Sequence, residues 1–146
     1  MAAHDACTLL DDDHNEVIRL FEQHKAAHEA NRKRLLAAQI CQELIVHMQL
    51  EEEIFYPAFR QARGSEDLVE DAEHEHREAR ELIAMIQQKQ VDDRLMLELE
   101  DAILHHVNDE REKMFPQARK MQGLDLMQLA QQLEARKAEL MVGHPA

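Results

Sequence analysis

Residues that break helices or cross-link small folds are scarce in this sequence. Its 146 residues include three glycines, three prolines, two cysteines and no tryptophan. Cys7 and Cys41 are too few for a disulfide framework and lack a Cys-x-x-Cys spacing, which indicates two reduced thiols. The abundant alanine, leucine, glutamate, glutamine and methionine favour helices, because these side chains lose little rotamer freedom there. We therefore predict an all-α chain without a sheet.

Positive charge and long apolar runs are also missing. The sequence has 17 basic and 30 acidic residues and a formal net charge of -13, so nucleic acids and anionic membranes would repel it. No apolar run approaches the ~18 residues of a membrane helix, and the N-terminal residues resemble no secretion signal. These absences predict a soluble, cytoplasmic protein that binds neither nucleic acid nor membrane. The length predicts one domain over residues 1–146.

Hydrophobic periodicity and turn signals divide the chain into five predicted helices. Four long helices are expected at about residues 8–29, 32–62, 66–89 and 94–120, and a shorter fifth at about 124–141. Ser65 is the expected N-cap of the third helix, and Val91 lies in the turn that follows it. We predict an up-down-up-down antiparallel four-helix bundle over about 8–120. The leucines of the fifth helix either dock on this bundle or pair with a second chain.

A phrase of eleven residues occurs twice, 59 positions apart. The copies run from His47 to Pro57 and from His106 to Pro116, with His, Glu, Glu and Pro in register. Each copy places an imidazole and a carboxylate four residues apart, so both project from one helix face and can hold the same metal. About two His-x-x-x-acid pairs are expected by chance from ten histidines and 30 acidic residues, and four occur. The register, more than the spacing, therefore predicts two matching half-sites.

Four histidines fall at one height of the predicted bundle. Residues at equal height on consecutive antiparallel helices are equidistant from the turn between them. The midpoints between His14 and His47, between His47 and His76, and between His76 and His106 lie at residues 30–31, 61–62 and 91, at or near the predicted turns. Each of the four helices is therefore expected to deliver one histidine to the same interior level.

Two of these positions have a competing neighbour. His74 and His76 are about 200° apart around a helix, so only one points inward, and His76 shares its stripe with apolar residues. His74 stays open as the alternative. His106 is favoured over His105, because only His106 is correctly spaced from Ile103 and Glu110.

Other interpretations apply to several polar residues. Glu51 and Glu110 could be solvated surface charges, and His14 a hydrogen-bonded core histidine. His24 and His28 are expected to be solvated. Three more glutamates either lie on a solvated face or orient ligand imidazoles: Glu52, Glu53 and Glu112.

The candidate ligands form a mixed set of imidazoles and carboxylates: His14, His47, Glu51, His76, His106 and Glu110. Such a set suits borderline first-row metals, and carboxylates can bridge two ions. We predict a dinuclear non-haem iron site. Zinc is the rival metal, although a structural zinc site is usually four-coordinate and needs fewer ligands.

Four local motifs carry a family resemblance. They are Leu-x-x-Asp-His ending at His14, His-x-x-x-Glu at Glu51 followed by Phe-Tyr-Pro, Glu-His ending at His76, and His-His-x-x-x-Glu at Glu110 followed by Met-Phe-Pro. Through them, about residues 8–120 resemble the hemerythrin-like HHE cation-binding family. The resemblance implies a bundle with two iron ions, bridged by Glu51, by Glu110 and by an oxo or hydroxo group, that binds O2 or related oxidants. Ala72 stands where the oxygen carriers of the family have a fifth histidine, which implies more solvent at one iron.

Three functions stay open at this point. The first is O2 binding or sensing together with oxidant handling, with Phe21, Phe55 or Met114 as an apolar wall. The second is an enzyme that decomposes hydrogen peroxide or reduces NO at the same centre. The third is iron handling or iron-dependent regulation. The sequence favours the first and predicts neither a protein partner nor an oligomeric state.

Overall fold

The protein is described here by a computed structural model, which covers residues 4–88 and 92–142. Within these ranges all regular elements are helical. They are α1 (Ala6–Ala26), α2 (Ala30–Leu50), α3 (Tyr56–Gln61), α4 (Glu66–Gln88), α5 (Asp93–Asp109), α6 (Phe115–Lys120) and α7 (Leu126–Val142). Two π-helical turns, Glu51–Phe55 and Glu110–Met114, join α2 to α3 and α5 to α6 without a break.

The helices form the predicted bundle, so the fold class is confirmed. Helix α1 packs against α2 and α4 against α5, while α7 lies across α1 and α2. Helix α1 begins two residues before the predicted start because Asp5 caps it: the Thr8 N–H donates to Asp5 Oδ1 at 2.8 Å. The predicted turn at Val91, and the predicted end of the third helix at residue 89, lie outside the described residues.

The turn between α3 and α4 requires a glycine at position 64. Arg63 adopts a left-handed backbone with φ of 70°, and the Gly64 N–H donates to the carbonyl of Phe59 at 2.8 Å, which closes a Schellman motif. A Cβ on Gly64 would collide with the Phe59 ring. Ser65 then caps α4, because its Oγ accepts a hydrogen bond from the Leu68 N–H at 3.4 Å. The sharp turn returns the chain antiparallel to α2.

The apolar core consists of two clusters. One cluster contains Phe55, Phe59 and Phe115 and receives the leucines of α7, which confirms that the fifth helix docks on the bundle. The other contains Phe21, Ile83 and Ile103. Along α4, His76 falls between Ala72 of the first cluster and Ala79 of the second, and the other candidate histidines interrupt their helices in the same way. A polar layer therefore separates the two halves of the core.

Among the described residues, no helix combines the length and apolar character needed to cross a membrane.

Candidate metal centre

Two π-helical turns position the carboxylates of the polar layer. Glu51 and Glu110 each open such a turn, in which the backbone N–H of the residue five positions later donates to the glutamate carbonyl. In an α-helix, a residue five positions on is rotated by about 140° from the first. The wider π turn instead places Tyr56 over Glu51 and Phe115 over Glu110. π turns of this kind occur often at functional sites.

All six sequence-predicted ligands come together in the polar layer, in two groups that share one residue. The first group is His14, His47, Glu51 and Glu110, and the second is Glu51, His76 and His106; within each group the candidate ligand atoms lie within 4.8 Å of one another. Glu51 Oε1 lies 3.3 Å from His47 Nε2 and 3.0 Å from His76 Nε2. The Glu51 carboxylate therefore stands between two pairs of imidazoles.

The Glu110 carboxylate lies between the same two pairs of imidazoles as Glu51 does. Glu110 Oε1 lies 3.0 Å from His14 Nε2 and 3.3 Å from His106 Nε2. One oxygen of each carboxylate thus faces an imidazole of each pair. Both carboxylates therefore lie between the two pairs of imidazoles, where carboxylate and imidazole donors can share a bound cation.

Several polar atoms of this layer are buried without a hydrogen bond. Glu51 is 0% and Glu110 1% exposed. Four atoms make ionic contacts at most and no hydrogen bond: His14 Nε2, His47 Nε2, Glu51 Oε2 and Glu110 Oε1. Nitrogen and carboxylate donors that converge in this way fit a bound first-row metal ion.

The outer nitrogen of each histidine is held by a carboxylate. The Nδ1 atoms of His14, His47, His76 and His106 lie 2.9, 3.0, 2.7 and 2.7 Å from Asp11, Asp13, Glu52 and Glu75 respectively. Such a contact fixes the ring orientation and leaves Nε2 free for a metal. Glu52 therefore orients an imidazole, which is one of the two roles that the sequence left open for this residue. The roles of Asp11, Asp13 and Glu75 could not be read from the sequence, because each depends on how neighbouring helices face each other.

Without a metal, protons balance the charge of the layer. Burial acts to lower the pKa of His47, but the Glu51 carboxylate and the Asp13 hydrogen bond outweigh burial and raise that pKa from 6.5 to about 10. Burial acts to raise the pKa of Glu51, but His47 and its other partners hold it well below 4.5. In the metal-free layer, the His47 imidazolium therefore stands beside the Glu51 carboxylate. Metal binding would displace protons from the layer.

Tyr56 is a site residue that the sequence reasoning missed. Its hydroxyl donates to Glu110 Oε2 at 2.8 Å and to Glu51 Oε1 at 3.1 Å, and it lies 3.2 Å from His76 Nε2. Tyr56 is fully buried, so a phenol hydroxyl, and not solvent, stands beside His76. Regular α-helical periodicity would place Tyr56 on a different helix face from Glu51. The π turn instead brings the two residues to the same face. The sole signal was the Phe-Tyr-Pro segment that follows Glu51.

The other histidines in the described part of the chain lie outside this layer. His74 and His105 are 63% and 70% exposed, so His76 and His106 are the inward members of their pairs. His28 is exposed as expected. The expectation that His24 is solvated is wrong, since it is 3% exposed and lines a separate cavity together with Phe21 and Met96.

The apolar wall beside the imidazoles differs from the predicted one. A small cavity next to the four histidines is lined by aliphatic residues of the second core cluster: Val17, Leu44, Met48, Ala79, Ile103 and Val107. Phe21, Phe55 and Met114 do not line it. Phe115 instead stacks on His14 with ring centroids 6.0 Å apart.

The fold and this layer define a cation-binding helical bundle, and the comparisons with known proteins agree. The sequence model of the hemerythrin HHE cation binding domain matches residues 5–118, so the chain belongs to that family. A similar solved structure is a hemerythrin HHE cation binding domain-containing protein from Mycobacterium kansasii. The two share 18% sequence identity with a TM-score of 0.82, over 97% of this chain and 90% of the other. None of the curated proteins matches the sequence.

Proposed function

We propose that the protein holds two iron ions in the polar layer and binds O2 or a related small oxidant there. The observation that carries this proposal is the position of Glu51, which belongs to both groups of candidate ligands. A carboxylate can bridge two ions, whereas an imidazole binds one. A single zinc ion would leave part of this donor set unused, because structural zinc sites are usually closed by four ligands.

Each ion would be held by one pair of imidazoles. His14 and His47 would bind the first ion, and His76 and His106 the second, with Glu51 and Glu110 between the two ions. The second group has one donor fewer, and the Tyr56 hydroxyl lies beside it. We propose Tyr56 as an oxygen donor to this second ion. Burial and the nearby carboxylates raise the pKa of Tyr56, whereas a cation at this position would lower it.

The surrounding residues protect and orient the layer. Asp11, Asp13, Glu52 and Glu75 hold the imidazole rings, and aliphatic side chains line the cavity beside those rings. A pair of iron ions would supply the reversible redox chemistry that binding of O2 needs. The chain itself supplies a dry, rigid enclosure in which a small apolar molecule can approach.

Anaerobic loading with ferrous iron, followed by O2, tests this function. We expect new visible absorption on adding O2 that disappears on deoxygenation, in wild type and in the exposed-site control His28→Ala. Absorption that never reverses would contradict reversible binding and favour an enzyme or iron handling. Gas evolution on adding hydrogen peroxide would favour peroxide decomposition instead.

A further inference from the structure

Three of the four carboxylates that hold the imidazoles also contact an arginine or a lysine. Arg111 Nε lies 2.6 Å from Asp11 Oδ1, Lys137 Nζ lies 2.7 Å from Asp13 Oδ1, and Arg80 contacts Glu52 at 2.6 and 2.8 Å. Each of these carboxylates therefore connects an interior imidazole to a positive charge at the surface. The three cations come from different elements, α4, the second π turn and α7, so a half-buried anion beside the layer is balanced by a cation in each case.

The fourth carboxylate, Glu75, has no arginine or lysine partner among the described residues. Its Oε1 holds His106 Nδ1 at 2.7 Å, and its Oε2 faces His105 Nε2 at 3.3 Å. His105 Nε2 in turn lies 3.4 Å from Asp109 Oδ2. In the place where the other three carboxylates contact an arginine or a lysine, Glu75 contacts the His105 imidazole. This imidazole in turn contacts the Asp109 carboxylate.

The three side chains have the geometry of a metal site. Their candidate ligand atoms lie within 4.8 Å of one another, although His105 is 70% exposed. Atoms about 2.0–2.2 Å from one ion are about 2.8–3.6 Å from each other at octahedral or tetrahedral angles. The two measured separations fall in this range. Lys113 contacts only the outer oxygen of Asp109, at 3.8 Å, so Oδ2 stays directed toward His105.

The surroundings favour a cation as well. The cleft between α4 and α5 that contains these residues is also lined by Asp71, Glu78 and Asp101. Together with the net charge of -13, these carboxylates raise the local concentration of divalent ions.

We propose that Glu75, His105 and Asp109 form a second, surface metal site for a first-row divalent cation, and that ferrous iron taken up there passes to the buried layer. One imidazole and two carboxylates suit Fe²⁺, Mn²⁺ and Zn²⁺. Glu75 joins the two sites, because one of its oxygens contacts the surface histidine and the other contacts a candidate ligand of the buried layer. The uptake role rests on the proposed function, whereas the binding itself does not.

Titration with Mn²⁺ of protein that has been loaded with iron and then desalted to empty the surface site, with free Mn²⁺ followed by electron paramagnetic resonance, tests the binding. We expect wild type to bind about one additional Mn²⁺ per chain, and His105→Ala and Asp109→Asn to bind it at least tenfold more weakly. Asp101→Asn is the matched control, since it removes the same charge from the same cleft and should change the affinity less than about twofold. Absence of saturable binding in wild type, or equal weakening in Asp101→Asn and Asp109→Asn, would overturn the site.

The rate of ferrous iron uptake by metal-free protein tests the role. His105→Ala should load about tenfold more slowly and, once desalting has removed surface-bound metal, reach the same final iron content, because its side chain lies outside the buried layer. An unchanged rate would overturn the uptake role. His47→Ala separates this failure from that of the proposed function: it should lower the iron content of the buried layer and leave Mn²⁺ binding at the surface intact.

Discussion

The four inward histidines have defined neighbours at both ring nitrogens. At each ring a carboxylate holds Nδ1, and Nε2 faces Glu51 or Glu110 across 3.0–3.4 Å. The ring is therefore oriented before any metal binds, which reduces the cost of assembling the site. Tyr56 adds a hydroxyl to this set without adding a charge.

Replacing Tyr56 by phenylalanine tests the role of that hydroxyl. The ring and its packing stay, while the oxygen beside His76 is lost. We expect the affinity for one of two iron ions to fall by about 10- to 100-fold, the range found when a supporting group of a metal site is removed. Titration against a metal-binding dye measures both affinities. If both affinities were unchanged, or if both fell equally, Tyr56 would not be a donor to the second ion.

At the scale of the helix, the two π turns decide which residues reach the site. Each lies in one copy of the repeated phrase and is followed by a proline, Pro57 or Pro116, at the start of the next α-helix. Proline has no N–H to donate to the carbonyl four residues earlier, so a regular α-helix is disfavoured there. The prolines therefore accompany a wide turn and do not end the helix, which continues to Gln61 and Lys120.

These turns also mark the limit of what the sequence could predict. Helical periodicity placed His47 and Glu51 on one face correctly, because the helix is regular up to Leu50. Beyond Glu51 the same periodicity fails, since a π turn shifts each later residue by about 100°. Phe55 was predicted to face the site and Tyr56 was not. The partners of the imidazoles were missed for a different reason: contacts between helices leave no periodic signal.

Deleting Glu53 tests the register of the first π turn. The deletion converts a five-residue turn into a four-residue α turn, which keeps Tyr56 above Glu51. An alanine inserted after Glu53 instead rotates the buried Phe55, Tyr56 and Phe59 by about 100° out of the core. We expect the insertion to lower the thermal midpoint far more than the deletion does.

Circular dichroism during heating measures both midpoints. Glu53→Ala is the control for the lost contact between Glu53 and Arg136, which lie 2.9 Å apart at the surface. A deletion as destabilising as the insertion would contradict the proposed register.

At the scale of the molecule, the bundle encloses a layer of opposite charges between two apolar clusters. The sequence predicted this architecture well, because helix periodicity and the equal height of four histidines depend on spacing along the chain. It did not reveal that α7 also supports the layer, where Lys137 contacts the Asp13 carboxylate that holds His47. Because these ion pairs connect α1, α2 and α7, the free energy of unfolding depends on the protonation of the layer.

The stability of metal-free protein should depend on pH in a defined way. The pKa of His47 is raised from 6.5 to about 10, so its stabilising contribution is complete below pH 6.5 and is lost as the pH rises toward 10. The pKa of Glu52 is lowered from 4.5 to about 2 despite its burial, because His76 and Arg80 stabilise the carboxylate. Its contribution is complete above pH 4.5 and is lost toward pH 2.

We therefore expect the free energy of unfolding of metal-free protein to be largest between about pH 4.5 and 6.5. Urea denaturation across a pH series measures it, and His47→Gln should flatten the decline above pH 6.5. Stability that rises steadily from pH 6.5 to 9 would be inconsistent with the charged layer.

The number of iron ions per chain tests the central claim most directly. After anaerobic ferrous loading and desalting, elemental analysis should find about two ions per chain in wild type and in His28→Ala. His47→Ala and His106→Ala each remove one imidazole from a different pair, so each should retain about one ion. One ion or none in wild type, or an unchanged content in both variants, would contradict a buried dinuclear site shared through Glu51.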